Sequence, residues 1–216
     1  MDIEETYVNG DIEQRVPQEG GCPPMLVVHI LVDVRDAMGA NLVNSIAERL
    51  APELEAVTGG EARLRILSNL SDRRLARTEV RVKHEVLSSK HMDGREVATR
   101  ILEAHQFAVS DPYRACTHNK GIMNGIDPIL VATGNDWRAV EAGAHAYAAR
   151  EGRYTSLSRF WNDEAAQALM GEIELPMAVG VVGGSTRAHP TIQVTRKLLG
   201  PFAESVERLA GLFAAV

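Results

Sequence analysis

The sequence predicts a mixed α/β fold, and three observations carry that prediction. Residues 25–34 (Met-Leu-Val-Val-His-Ile-Leu-Val-Asp-Val) are almost continuously apolar and β-branched, as in a strand covered on both faces. Directly after them, Leu42, Val43, Ile46, Leu50, Leu54 and Val57 recur at helical spacing. Farther on, residues 136–150 hold Ala139, Ala142, Ala144, Ala146, Ala148 and Ala149 around Gly143. Alanine favours helix, and its small side chain lets neighbours approach closely, so this segment is expected as a buried helix near the middle of a domain.

The remaining elements follow in order. Thr58-Gly59-Gly60 closes the first helix with glycine. Residues 62–67 form a second apolar strand candidate that ends at Ser68-Asn69. Residues 78–87 alternate apolar and charged side chains, the pattern of a half-exposed strand. A Met92-Asp93-Gly94 turn leads into a helix over 95–109, and Asp111-Pro112 starts the next, aspartate at the cap and proline at the first helical position. Residues 161–167 are expected as a polar excursion, 172–182 as a strand and 183–186 as a tight glycine loop. Two helices, over 190–199 and 202–215, end the chain, and no internal repeat is visible.

Composition excludes several function classes. The 216 residues carry 29 acidic against 23 basic side chains, a net charge of −6, which disfavours nucleic acid as a partner. No apolar run approaches the length of a membrane span, and acidic residues follow Met1, unlike a secretory leader. Cys22 and Cys116 are too few and too far apart for a disulfide framework, so the chain is read as cytoplasmic. Cys116 is expected as buried packing. Seven histidines show no zinc-ligand spacing, so no metal is expected.

Four segments could carry chemistry. In Asp36-Ala37-Met38-Gly39-Ala40-Asn41, a glycine at a helix start would let a phosphate approach backbone N–H groups. It lacks the GxGxxG pattern, and the alternative is an aspartate-capped helix. Residues 111–127 gather Arg114, Lys120, Asn119 and Asn124 among small side chains. In a helix Lys120 and Asn124 share a face, Arg114 offers a planar fork for a carboxylate, and Lys120 offers a compact cation. The alternative is a solvated helix end. Asp136 opens the alanine-rich helix, either as a simple cap or as an ionised partner for a lysine. The glycine turn at 179–186 passes close to a ligand or to another backbone segment.

Together these segments resemble 3-hydroxy-3-methylglutaryl-coenzyme A (HMG-CoA) reductase, in its class II bacterial and archaeal form. The matching residues are 36–41, Ser68-Asn69, 111–127, 132–147 and 179–186, so the resemblance runs from about residue 25 to 199. It implies an α+β protein: a helical large domain with a central buried helix, plus part of a smaller, ferredoxin-like cofactor-binding domain. On that pattern residues 1–68 look like the dinucleotide-binding part, and 69–216 like the substrate-binding and dimerising part.

The resemblance implies a four-electron reduction of HMG-CoA to mevalonate and CoA, using two equivalents of NAD(H) or NADP(H). Its catalytic lysine falls on Lys120 and its catalytic aspartate on Asp136. Substrate contacts fall on Arg114, Asn124 and Asn69, and the dinucleotide loop on Asp36, Met38, Gly39 and Asn41. It also implies a homodimer with shared active sites. The family's glutamate proton donor and its C-terminal histidine match nothing in this sequence. The chain is therefore expected to be catalytically incomplete alone, the alternative role being a CoA- or dinucleotide-binding or dimerisation domain.

Overall fold

The computed structural model describes residues 9–15, as backbone, and 25–184, 186 and 189–216. Cys22 and Ser185 lie outside the described residues. The chain divides into two compact units, the first taking residues up to Arg35 together with Gly39–Leu67, the second Asp36–Met38 together with Ser68–Val216.

In the first unit β1 (Asn9–Arg15) pairs antiparallel with β2 (Met25–Leu31), from Asn9 opposite Leu31 to Arg15 opposite Met25. β2 is not covered on both faces as its composition suggested. None of its side chains is buried, because β1 is its single partner among the described residues. Helix α1 (Ala40–Thr58) ends at Gly59 in the left-handed conformation, as the glycine pair predicted. Residues 62–67 form no strand. Side chains of α1 take their amides instead: Ala62 N–H donates to Glu55 Oε1 (2.7 Å) and Leu67 N–H to Asn44 Oδ1 (2.9 Å).

The second unit is built on a three-stranded antiparallel sheet in the order β3 (Leu75–Lys83), β5 (Ala168–Pro176), β4 (Ser158–Asp163). β3 starts and ends earlier than its alternation indicated. Pairing stops where Lys83 meets Ala168, and the short helix α2 (His84–Leu87) follows. Residues 161–163, read as part of a polar excursion, complete β4, and only 164–167 form the turn. β5 lies at 168–176 rather than 172–182, because the sheet holds a partner for that stretch alone.

Helices α3 (Gly94–Ser110), α4 (Pro112–Thr133), α5 (Trp137–Ala148), α6 (Pro190–Leu199) and α7 (Val206–Ala215) complete the unit. A 3-10 turn at Gly200–Ala203 and a cap at Ser205 split the last predicted helix. α4 touches α3, α5, α6 and α7, so it is the central helix. The alanine-rich α5 is half buried beside it and packs on β5. The core runs through Met123, Ile126 and Leu130 of α4, Val140 and Ala144 of α5, Leu175 of β5 and Phe213 of α7. None of the described helices is long and apolar enough to cross a membrane.

Candidate active site

α4 organises the candidate residues. Asp111 caps it by accepting the Arg114 N–H (2.8 Å), Pro112 opens it, and Gly134 ends it. Its buried stripe is Ala115, Asn119, Met123, Ile126 and Leu130. Asn119 is fully buried in that stripe. Its Nδ2 donates to Thr155 O (2.9 Å) and its Oδ1 accepts the Leu157 N–H (3.0 Å), locking α4 against the segment before β4. A second link joins the same elements, His118 Nε2 lying 2.7 Å from Ser158 Oγ. Burial, then the Arg114 charge and His105, push the His118 imidazole below its ordinary value, favouring the neutral ring.

Around this fixed helix Lys120 and Asn124 are exposed and Arg114 is half-buried. Their side-chain polar ends have no hydrogen-bond or ion-pair partner among the described residues. Cys116, expected in the core, is exposed, because it sits beside the buried stripe rather than on it. Asn69 is exposed too, and its backbone carbonyl lies against Gly143 of α5, where a Cβ would stand 2.5 Å from the oxygen.

Asp136 is the cap of α5 and accepts the Ala139 N–H (3.1 Å), with Arg138 Nε 3.8 Å away. It does not meet Lys120. From Lys120 to the end of α4 is about 20 Å of helix at ~1.5 Å per residue. The chain turns back only as far as Asn135, whose N–H bonds to Leu130 O (2.9 Å). The two residues of the expected couple therefore stand roughly 15–20 Å apart within one chain. A lysine side chain also leans toward the helix N-terminus, away from Asp136.

The expected dinucleotide loop divides between the units, Asp36 and Met38 in the second, Gly39 and Asn41 in the first. Gly39 has φ 98° and caps α1; a Cβ there would collide with the Val34 side chain. The close approach that Gly39 permits is thus to Val34. Asp36 does not cap α1: its Oδ1 accepts the Val206 N–H (3.3 Å). α1 begins with no side-chain cap and no acidic residue in its first turn, while Asp36 and Asn41 are exposed. In the glycine turn Gly180 lies against the Ala37 and Met38 backbone, whereas a Cβ at Gly183 or Gly184 would meet nothing within 4 Å.

Sequence reasoning passed over the Asn119 lock, although a lone asparagine at i+4 from Ala115 and i−4 from Met123 on an apolar stripe is a legible signal. It also missed Asp127 of α4, whose Oδ1 is buried without a partner. Burial first, then the charge of Glu141 on α5, raise its carboxyl to about 6. A cleft of about 390 Å³ lined by His84, Glu85, Ser88, Asp93, Arg95 and Gln167 contains none of the candidates. The described residues include no group able to hold a metal ion.

Residues 5–216 match the family model described as hydroxymethylglutaryl-coenzyme A reductase. The chain is 49% identical over 192 residues to the 3-hydroxy-3-methylglutaryl-coenzyme A reductase of Archaeoglobus fulgidus, covering 89% of this chain and 42% of that protein. It is 42% identical over 162 residues to the probable reductase of the same name from Borreliella burgdorferi, covering 73% of this chain and 36% of that one. The chain thus spans less than half the length of either relative. Among solved structures, the class II reductase of Streptococcus pneumoniae bound to NADPH in open conformations superposes with a TM-score of 0.90 at 45% identity. That alignment covers 96% of this chain and 49% of the other.

Proposed function

Because the chain belongs to the hydroxymethylglutaryl-coenzyme A reductase family, we propose that the full-length protein interconverts HMG-CoA with mevalonate and CoA, using two equivalents of NADH or NADPH. The observation that carries this reading is α4: a helix locked by buried Asn119 that presents Arg114, Lys120 and Asn124 without side-chain partners among the described residues. Rigid placement of a cation where negative charge develops is what carbonyl reduction requires. Lys120 donates to the oxygen of the thioester carbon as that carbon is reduced. Arg114 grips the carboxylate of the substrate with its planar fork. Asn124, one turn from Lys120, and Asn69 hydrogen-bond the bound acyl group. The role of Asp136 is to hold Lys120 charged and oriented. Since the two stand far apart in one chain, Lys120 of one copy would meet Asp136 of a second, and the active assembly is a homodimer.

Asp36, Met38, Gly39 and Asn41 would hold NAD(H) or NADP(H). The uncapped start of α1, with no acidic residue in its first turn, suits the dinucleotide's phosphates. When bound, the dinucleotide supplies the hydride. Residues 1–68 then belong to the dinucleotide-binding domain and 69–216 to the large domain, in a cytoplasmic enzyme. The test is Lys120→Ala in the full-length protein, assayed by NAD(P)H consumption with HMG-CoA. Turnover is expected to fall on the order of 10²–10³-fold. The fold of each chain should be kept, read as an unchanged far-ultraviolet circular dichroism spectrum, because Lys120 packs against nothing within its own chain's core. Near wild-type turnover refutes the assignment.

A further inference from the structure

Arg74 lies immediately before β3, and its backbone carbonyl accepts the Met177 N–H (2.9 Å) just beyond β5. Its half-buried guanidinium reaches residues distant in sequence. Nη1 donates to Ala37 O (3.0 Å) and Met38 O (3.2 Å), and Nη2 donates to Val179 O (2.6 Å). The segment it holds is tied down on its other sides as well. Asp36 O accepts the Val181 N–H (2.8 Å), Ala37 forms a parallel bridge with Val182, and Asp36 Oδ1 accepts the Val206 N–H (3.3 Å). Gly180 packs directly on the segment: a Cβ there would collide with the Met38 backbone nitrogen.

Resting on the reading that Asp36 and Met38 contact the dinucleotide, we propose that Arg74 is a positioning residue for that contact. It acts through the Ala37 and Met38 carbonyls and does not touch the cofactor. The chemistry selects arginine. Two consecutive carbonyls and a third from another segment need several donors in one fixed plane, which a guanidinium supplies and a lysine ammonium does not. Without the guanidinium these part-buried carbonyls lose their donor, and the 36–38 segment relaxes away from the 179–182 segment. The binding-competent arrangement then becomes one of several, and affinity for the dinucleotide falls by the fraction that remains competent.

The experiment titrates the full-length protein with NADH, NADPH and, separately, HMG-CoA, following intrinsic tryptophan fluorescence. Wild type is compared with Arg74→Ala, Arg74→Lys and Gly180→Ala, and a thermal melt is recorded for each. Arg74→Ala is expected to raise the dinucleotide Kd about tenfold and to leave the HMG-CoA Kd within about twofold. Arg74→Lys should recover part of the loss. Gly180→Ala, which sets a Cβ against the Met38 backbone nitrogen of the same segment, should reproduce it. Unchanged dinucleotide affinity in folded Arg74 variants overturns the inference, as does an equal loss for both ligands. Unfolding of all three variants also overturns it, by making Arg74 a residue of the fold alone. A wild-type protein that binds neither dinucleotide instead refutes the cofactor reading itself.

Discussion

Asp127 and Glu141 set one carboxyl against another between α4 and α5, with Asp127 Oδ1 buried and unpartnered. Burial and the Glu141 charge hold the Asp127 carboxyl at about 6, above its ordinary 3.8. The folded protein therefore binds this proton more tightly than the unfolded chain does. The stabilisation is complete below about pH 4 and is lost as pH rises through 6. Asp127→Asn is expected to leave the melting temperature unchanged at pH 4 and raise it at pH 8. After solvent screening the gain is about 1 kcal/mol, or roughly 2–4 °C for a chain of this size. Equal melting temperatures at pH 8 would show that the two carboxyls do not oppose each other. His118 has the opposite sign, since its depressed value makes the link to Ser158 strongest above pH 6.5 and weaker in acid. Neither effect was legible in the sequence, because each depends on which side chains a neighbouring element delivers.

α4 shows what local sequence can and cannot announce about an element. Asp111-Pro112 at its start is read directly from the chain, because a cap is satisfied within a few residues, whereas its run to Gly134 was not read. Its place at the centre of the helical layer is not local, and composition pointed to the alanine-rich α5 instead. Asn119 is what fixes α4 against the residues before β4. Asn119→Ala leaves the Thr155 carbonyl and Leu157 N–H unpaired, so a loss of about 2–4 kcal/mol is expected from urea unfolding. A change below about 1 kcal/mol would mean that water replaces the amide without strain. α5 makes its own demand. Gly143→Ala places a Cβ 2.5 Å from Asn69 O, and the expected cost is about 1–3 kcal/mol with Asn69 displaced. A heteronuclear spectrum in which Asn69 and its neighbours keep their shifts would contradict that.

For the whole molecule, the decisive number is the roughly 15–20 Å that one chain keeps between Lys120 and Asp136. If the couple forms between two copies, Lys120→Ala and Asp136→Ala are each inactive alone. Unfolded and refolded together, they restore activity, because every mixed dimer holds one site with both residues intact. Random pairing makes about half the dimers mixed, so recovery of about a quarter of wild-type turnover is expected. No recovery in mixtures shown to contain the hybrid would refute a shared site. The sequence by itself determined the helical periods near 42–57, 95–109, 136–150 and 190–199, the glycine stop at 59–60 and the Asp111-Pro112 start, together with the ordered motifs that resemble the family. These are short-range matters of backbone geometry and residue type. Tertiary structure alone decided that 62–67 is not a strand, that α4 is central and that Arg74 grips the Ala37 and Met38 carbonyls. Each depends on distances and donors set by segments far apart in the chain, and no local pattern encodes a distance between two segments.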